Sequence, residues 1–153
     1  MTQKTHPRVV LATLNAKYIH ASLGLRYLLA NQDTHGGAGL RAQTVLREYT
    51  ISRPAQEVVA DLLATLGPAP AAQPQVVGFG VYIWNVSQTT EVVRLLKAVR
   101  PELKLVLGGP EVSHETDQQA ITQLADHVIT GWGDVSFAKL CRALLDGPRP
   151  LMK

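Results

Sequence analysis

Val76-Val77-Gly78-Phe79-Gly80-Val81-Tyr82-Ile83-Trp84-Asn85 decides the fold. The run is apolar and rich in β-branched residues, too short to cross a membrane, and reads as a buried strand of a parallel sheet. The polar residues Ser87, Gln88, Thr89 and Thr90 follow it, and then a helical pattern. In open α/β sheets the carboxyl end of such a strand is where ligands are held. Gly78 and Gly80 stand two apart, so they leave one face of the strand without side chains. Either a packed helix or a ligand must fill that space.

Working outward, the chain alternates strand and helix. Arg8-Val9-Val10-Leu11-Ala12-Thr13-Leu14 reads as the first strand, and residues 15–20 as the loop that leaves it. A buried helix follows from residue 21, with Leu23, Leu25, Tyr27, Leu28 and Leu29 apolar, and the three glycines within residues 31–39 end it in a loop. Residues 40–50 alternate in part and predict a second strand near a sheet edge. Pro54 opens a helix striped by Val58, Val59, Leu62, Leu63 and Leu66, and the proline-rich residues 67–74 form a loop. After the deciding strand comes a helix whose buried side is Val92, Val93, Leu95, Leu96 and Val99, ending before Pro101. Residues 103–107 are a fourth strand, 115–124 a polar helix, 126–130 a fifth strand and 135–145 the last helix. Strict alternation predicts an α/β, flavodoxin-like (Rossmann-like), doubly wound five-stranded parallel sheet of order 2-1-3-4-5 over a single domain, residues 1–153. The ligand crevice then lies over the ends of the first, third, fourth and fifth strands.

Composition narrows the function. The 153 residues are 46% apolar, which supports one globular core. The net charge of +3 is spread along the chain rather than clustered, which argues against nucleic acid and anionic membranes as partners. One cysteine, Cys141, lies in a helical stripe with Phe137, Leu140, Leu144 and Leu145, so a disulfide framework and a cysteine-held iron–sulfur cluster are both excluded within this chain. Neither a transmembrane run nor the apolar segment of a signal peptide is found, which makes the cytoplasm the expected location.

The turns exclude several nucleotide chemistries. No G-x-G-x-x-G follows the first strand and no G-x-x-x-x-G-K-[ST] occurs, so the phosphate cradles of Rossmann dinucleotide binders and P-loop NTPases are missing. A phospho-receiver of this fold needs acids after the first strand and an Asp ending the third, where this chain has Leu14-Asn15 and Ile83-Trp84. Gly108-Gly109 and Gly131-x-Gly133 let a planar group or a chain of atoms approach the backbone. Each alone is also what a tight strand-to-helix turn requires. Beside Gly78 and Gly80, they point to a long slot between the sheet and its carboxyl-end loops. Tyr82 and Trp84 share a face at the crevice rim, where an aromatic can stack on a conjugated ring or pack against the next helix. His20 is a candidate metal ligand near Asn15, Tyr18 and Ser22, although a lone histidine is more often hydrogen-bonded or solvated.

Four stretches in order carry a resemblance: Thr13-Leu14-Asn15-Ala16-Lys17-Tyr18-Ile19-His20-Ala21-Ser22-Leu23-Gly24-Leu25-Arg26-Tyr27-Leu28, the Val77-to-Asn85 run, Val106-Leu107-Gly108-Gly109-Pro110-Glu111-Val112, and Ile129-Thr130-Gly131-Trp132-Gly133-Asp134. Together they resemble the amino-terminal cobalamin-binding domain of cobalamin-dependent radical S-adenosylmethionine enzymes. The resemblance implies a module that binds cobalamin above the strand ends, with the nucleotide tail between sheet and helix. Gly78, Gly80, Gly108 and Gly109 would line the tail slot, next to Pro110 and Glu111, and Gly131, Trp132 and Gly133 would flank it. The loop containing Asn15, Tyr18, Ile19, His20, Leu23 and Gly24 would lie under the corrin ring, with Tyr82, Trp84, Asn85 and Ser87 at its edge.

Two departures qualify what is carried over. Related methyltransferases and mutases have D-x-H-x-x-G, whose His is the lower cobalt ligand. Here Tyr18 replaces the Asp and Gly24 is displaced by one, so His20 lacks the partner that orients a metal-bound histidine. Base-off binding with His20 not firmly on the cobalt is the expectation. The family's iron–sulfur cluster and S-adenosylmethionine belong to a barrel with C-x-x-x-C-x-x-C, which this sequence lacks. The chain therefore reads as a non-catalytic carrier for a methyltransferase-like radical domain, in cis or in trans. The alternatives are a cofactor-free interaction domain closed by Trp84 and Trp132, and a flavin-binding domain, disfavoured because no Ser/Thr-rich phosphate loop follows the first strand.

Overall fold

The computed structural model of the protein describes residues 6–15, 23–37, 39–69, 73–82, 85–109, 120–129 and 133–146. Five parallel strands form one sheet: β1 (Val9–Asn15), β2 (Thr44–Thr50), β3 (Val76–Gly80), β4 (Lys104–Gly108) and β5 (His127–Val128). Their order is β2-β1-β3-β4-β5, as the alternation predicts, and β2 is an edge. All seven residues of β1 and all five of β3 are buried, because helices cover both sheet faces.

Successive strand residues point to opposite faces, and this sorts the core into two halves. Val10, Ala12, Leu14, Val77, Phe79, Leu105 and Leu107 meet Val58, Val59, Leu62 and Leu66 of α3 (Ala55–Leu66) and Val92, Val93 and Leu96 of α4 (Val86–Val99), with Ile121 of α5 (Ala120–Leu124). On the other face, Val9, Leu11, Val76 and Val106 meet Leu25 of α1 (Leu23–Ala30) and Phe137, Ala138, Cys141 and Leu145 of α6 (Gly133–Asp146).

Some boundaries differ from the sequence reading. Within residues 31–39 a short helix, α2 (Gln32–Gly36), replaces a plain loop, and a 3-10 turn (Arg41–Gln43) delays the start of β2. The cause is tertiary. A Cβ on Gly36 would lie 3.0 Å from the carbonyl oxygen of Ala138, so only glycine lets α2 pack this close to α6. Arg142 Nε then donates to the Gly36 carbonyl at 2.6 Å. Val99, expected on the buried side of α4, is 59% exposed. The stripe through Thr89, Val92, Val93 and Leu96 continues instead to the buried Arg100, whose guanidinium donates to the Gly67 carbonyl and to Gln75 Oε1, each at 3.1 Å.

Candidate functional site

Strand register aligns the small residues into a row. Thr13 pairs with Gly80 and Gly80 with Gly108, so these three lie side by side across β1, β3 and β4 at the carboxyl end of the sheet. The row beneath is Leu11, Gly78 and Val106. Both rows face α1 and α6. What would meet a Cβ grows sparser toward β4. On Gly78 it would lie 2.7 Å from the Phe137 ring. On Gly80 it would lie 3.3 Å from the Tyr82 ring, 3.4 Å from Thr13 Oγ1 and 3.6 Å from Leu25. On Gly108 it would meet no atom of the described residues within 4 Å. The upper row therefore carries the Thr13 side chain on β1 and none on β3 or β4; Tyr82, Thr13 and Leu25 surround Gly80, and Gly108 is open among the described residues.

Gly109 serves a different purpose. Its φ of 116° is one that side chains disfavour, and a Cβ there would lie 2.4 Å from the Val81 carbonyl oxygen. Gly109 thus lets the β4 exit pass the β3 exit, where the Val81 N–H donates to the Gly108 carbonyl at 2.7 Å. Asn85, the residue preceding α4, is 1% exposed and ties the same exits together. Its Nδ2 donates to the carbonyls of Leu14 (3.0 Å) and Gly80 (3.1 Å) and to Thr13 Oγ1 (3.3 Å), while its Oδ1 accepts the Tyr82 N–H at 2.8 Å. Beside the crevice, Arg26 of α1 reaches Glu48 of β2 at 2.6 Å, and Asn15 Nδ2 donates to the same carboxylate at 3.5 Å.

A bare strip over the carboxyl ends of β3 and β4, walled by a helix at each side, suits a ligand that lies against backbone. A protein-family model, the B12 binding domain, matches residues 8–141. The chain belongs to the B12-binding domain family. Among solved structures it is similar to a CheY-like protein (tadZ) from Pseudomonas aeruginosa PAO1, with 20% identity, a TM-score of 0.54, and coverage of 94% of this chain and 98% of that one. That likeness speaks for the flavodoxin-like fold alone. No curated protein matches the chain.

In this B12-binding domain, the predicted residues fall in different places. Gly80, Gly108 and Tyr82 come together at the strip, and Ser87 is exposed on the first turn of α4. Gly78, Gly109 and Asn85 have partners within the fold itself. Phe137 fills the space over Gly78, so the packed helix takes the place the sequence left open to helix or ligand. Gly109 is needed for backbone passage, and Asn85 points its amide inward. Asn15 is buried beside Glu48. Leu23, Gly24 and Gly133 lie within α1 and α6, whereas Tyr18, Ile19, His20, Trp84, Pro110, Glu111, Gly131 and Trp132 lie outside the described residues.

The sequence reading missed Thr13, Leu25 and Phe137 as site residues. Thr13 was findable, being the polar residue of an apolar strand that shares a sheet face with Leu11. Phe137 was visible only as one member of a helical stripe. Cys141 of that stripe is fully buried, and burial pushes its thiol up to about 12, against smaller opposite effects from Gln32 and Arg142. It is an inert structural thiol. No group of three or more His, Cys, Asp or Glu side chains that could hold a metal occurs among the described residues.

Proposed function

We propose that this chain holds a corrinoid over the carboxyl ends of β1, β3 and β4, with its tail against the Thr13–Gly80–Gly108 row. The observation that carries the reading is the register of that row, because β3 and β4 present no side chain at one level, beside Thr13 of β1, and face two helices. The residues fit such a group. Gly80 and Gly108 admit it to the backbone, and Leu25 and Tyr82 supply apolar walls that exclude water. Thr13 and Asn85 are spent on each other and on the strand exits, so they keep the strip rigid rather than bond the ligand. A bound corrinoid supplies a cobalt centre that can carry a methyl group. Every other contribution is positional.

The reading extends to base-off cobalamin with His20 not firmly on the cobalt, and to an attached or partner radical S-adenosylmethionine domain that holds the iron–sulfur cluster and performs methyl transfer. The ordered set of four sequence stretches supports that extension. The test is a visible absorption titration of the protein with hydroxocobalamin, set beside His20→Ala. A saturable shift to a base-off spectrum that the substitution leaves unchanged is expected. A shift that needs His20 would make it the lower ligand. A folded protein that gives no shift would overturn the reading and favour an interaction domain.

A further inference from the structure

Resting on the corrinoid reading above, we propose that Phe137 is the end stop of the tail slot and sets which corrinoids the domain prefers. The slot floor has two rows. At the upper row Gly108 has no described atom near its Cβ position and Gly80 has only ordinary or slightly tight contacts. At the lower row the ring of Phe137 stands 2.7 Å and 2.9 Å from where a Gly78 Cβ would be, and Leu11 stands 3.3 Å away. Between the two rows the cover over β3 changes from Tyr82, Thr13 and Leu25 at Gly80 to the Phe137 ring with Leu11 at Gly78, so the ring closes the slot from the α6 side.

Phe137 is held in that position. It is 3% exposed, and its neighbours in α6 pack into the same core: Ala138 is fully buried against Gly36, and Cys141 is fully buried. Moving the ring means moving α6 or leaving a hole beneath it. A corrinoid tail is thereby confined to the depth of the Thr13–Gly80–Gly108 row. The residue acts on the tail and not on the ring system, so it affects a corrinoid only through its lower nucleotide.

This separates two ligands that differ in that part alone, cobalamin and the tail-less cobinamide. Affinities of both would be measured by absorption titration for the wild-type protein, Phe137→Ala and Phe137→Leu, with circular dichroism confirming that each variant is folded. Leu keeps an apolar filler of shorter reach should Ala fail to fold. The expected result is a gain of about tenfold or more in the preference for cobalamin over cobinamide on shortening the ring, with cobinamide affinity changed less than about twofold, since a tenfold change is the scale of one well-placed apolar contact. Equal changes for the two ligands would reduce Phe137 to a packing residue and overturn the end stop while the corrinoid reading stands. Absence of binding by either ligand to the folded wild type would overturn both.

Discussion

Adjacent glycines at the β4 exit have opposite tolerances. Gly109→Ala places a methyl group against the backbone of Val81 at a positive φ, and a backbone cannot swing aside as a side chain can. It should cost about 1–3 kcal/mol or more, seen as a lower urea midpoint with an unchanged slope. Gly108→Ala meets no described atom and should stay within about 1 kcal/mol of the wild type while weakening corrinoid binding. Equal loss of stability at the two positions would refute this division. The pair looked like one motif in the sequence because spacing cannot tell a glycine needed for φ from one needed for space. Asn85 carries a related ambiguity. A polar residue after a buried strand suggests a ligand contact, yet four buried hydrogen-bonding groups of the chain itself needed it more.

Among elements, the strands and long helices were legible because burial on both sides writes unbroken apolar runs and stripes, as in β1, β3 and α3. The short α2 was not, since Ala138 and Arg142, which pack against and bond to its Gly36, lie about a hundred residues further along the chain. The joint between β4 and β5 was equally invisible. Asp126 accepts the Leu105 N–H and the Lys97 ammonium, both at 2.8 Å, and so fastens the last strand to its neighbour. Partial burial pushes its carboxyl up, but the Lys97 and Leu105 hydrogen bonds and the charges of Lys97 and Lys104 outweigh it and hold it below its usual value. A carboxyl depressed on folding adds stability above its unfolded value near about 3.9, and that stability is lost as the pH falls through the lower folded value. Partial exposure screens the pair, so Asp126→Asn should cost about 1 kcal/mol at neutral pH. Urea midpoints taken from neutral to acid pH should converge for variant and wild type once the pH falls below the usual carboxylate range. A gap that stays constant with pH would remove Asp126 as the acid-sensitive fastener.

For the whole molecule, a ligand that binds only the folded chain must raise its melting temperature. At a free concentration about a hundredfold above its Kd, hydroxocobalamin should add about 2.7 kcal/mol, a rise of roughly 5–10 °C for a chain of this length. A melting point indifferent to the cofactor would contradict selective binding to the native fold. Strand order could be foreseen because strict alternation leaves few topologies. The depth of the crevice could not, because it depends on one ring in the last helix meeting one glycine in the third strand. The two halves of the core are also unequal. The face under α3 and α4 joins buried residues from four strands and three helices into one cluster, whereas the face under α1 and α6 is a smaller one. Native-state hydrogen exchange should therefore find the slowest amides in β1, β3 and α4, with α1 and α6 released first in a partial opening. The side that would admit a bulky cofactor is the side that can open while the rest of the domain stays folded.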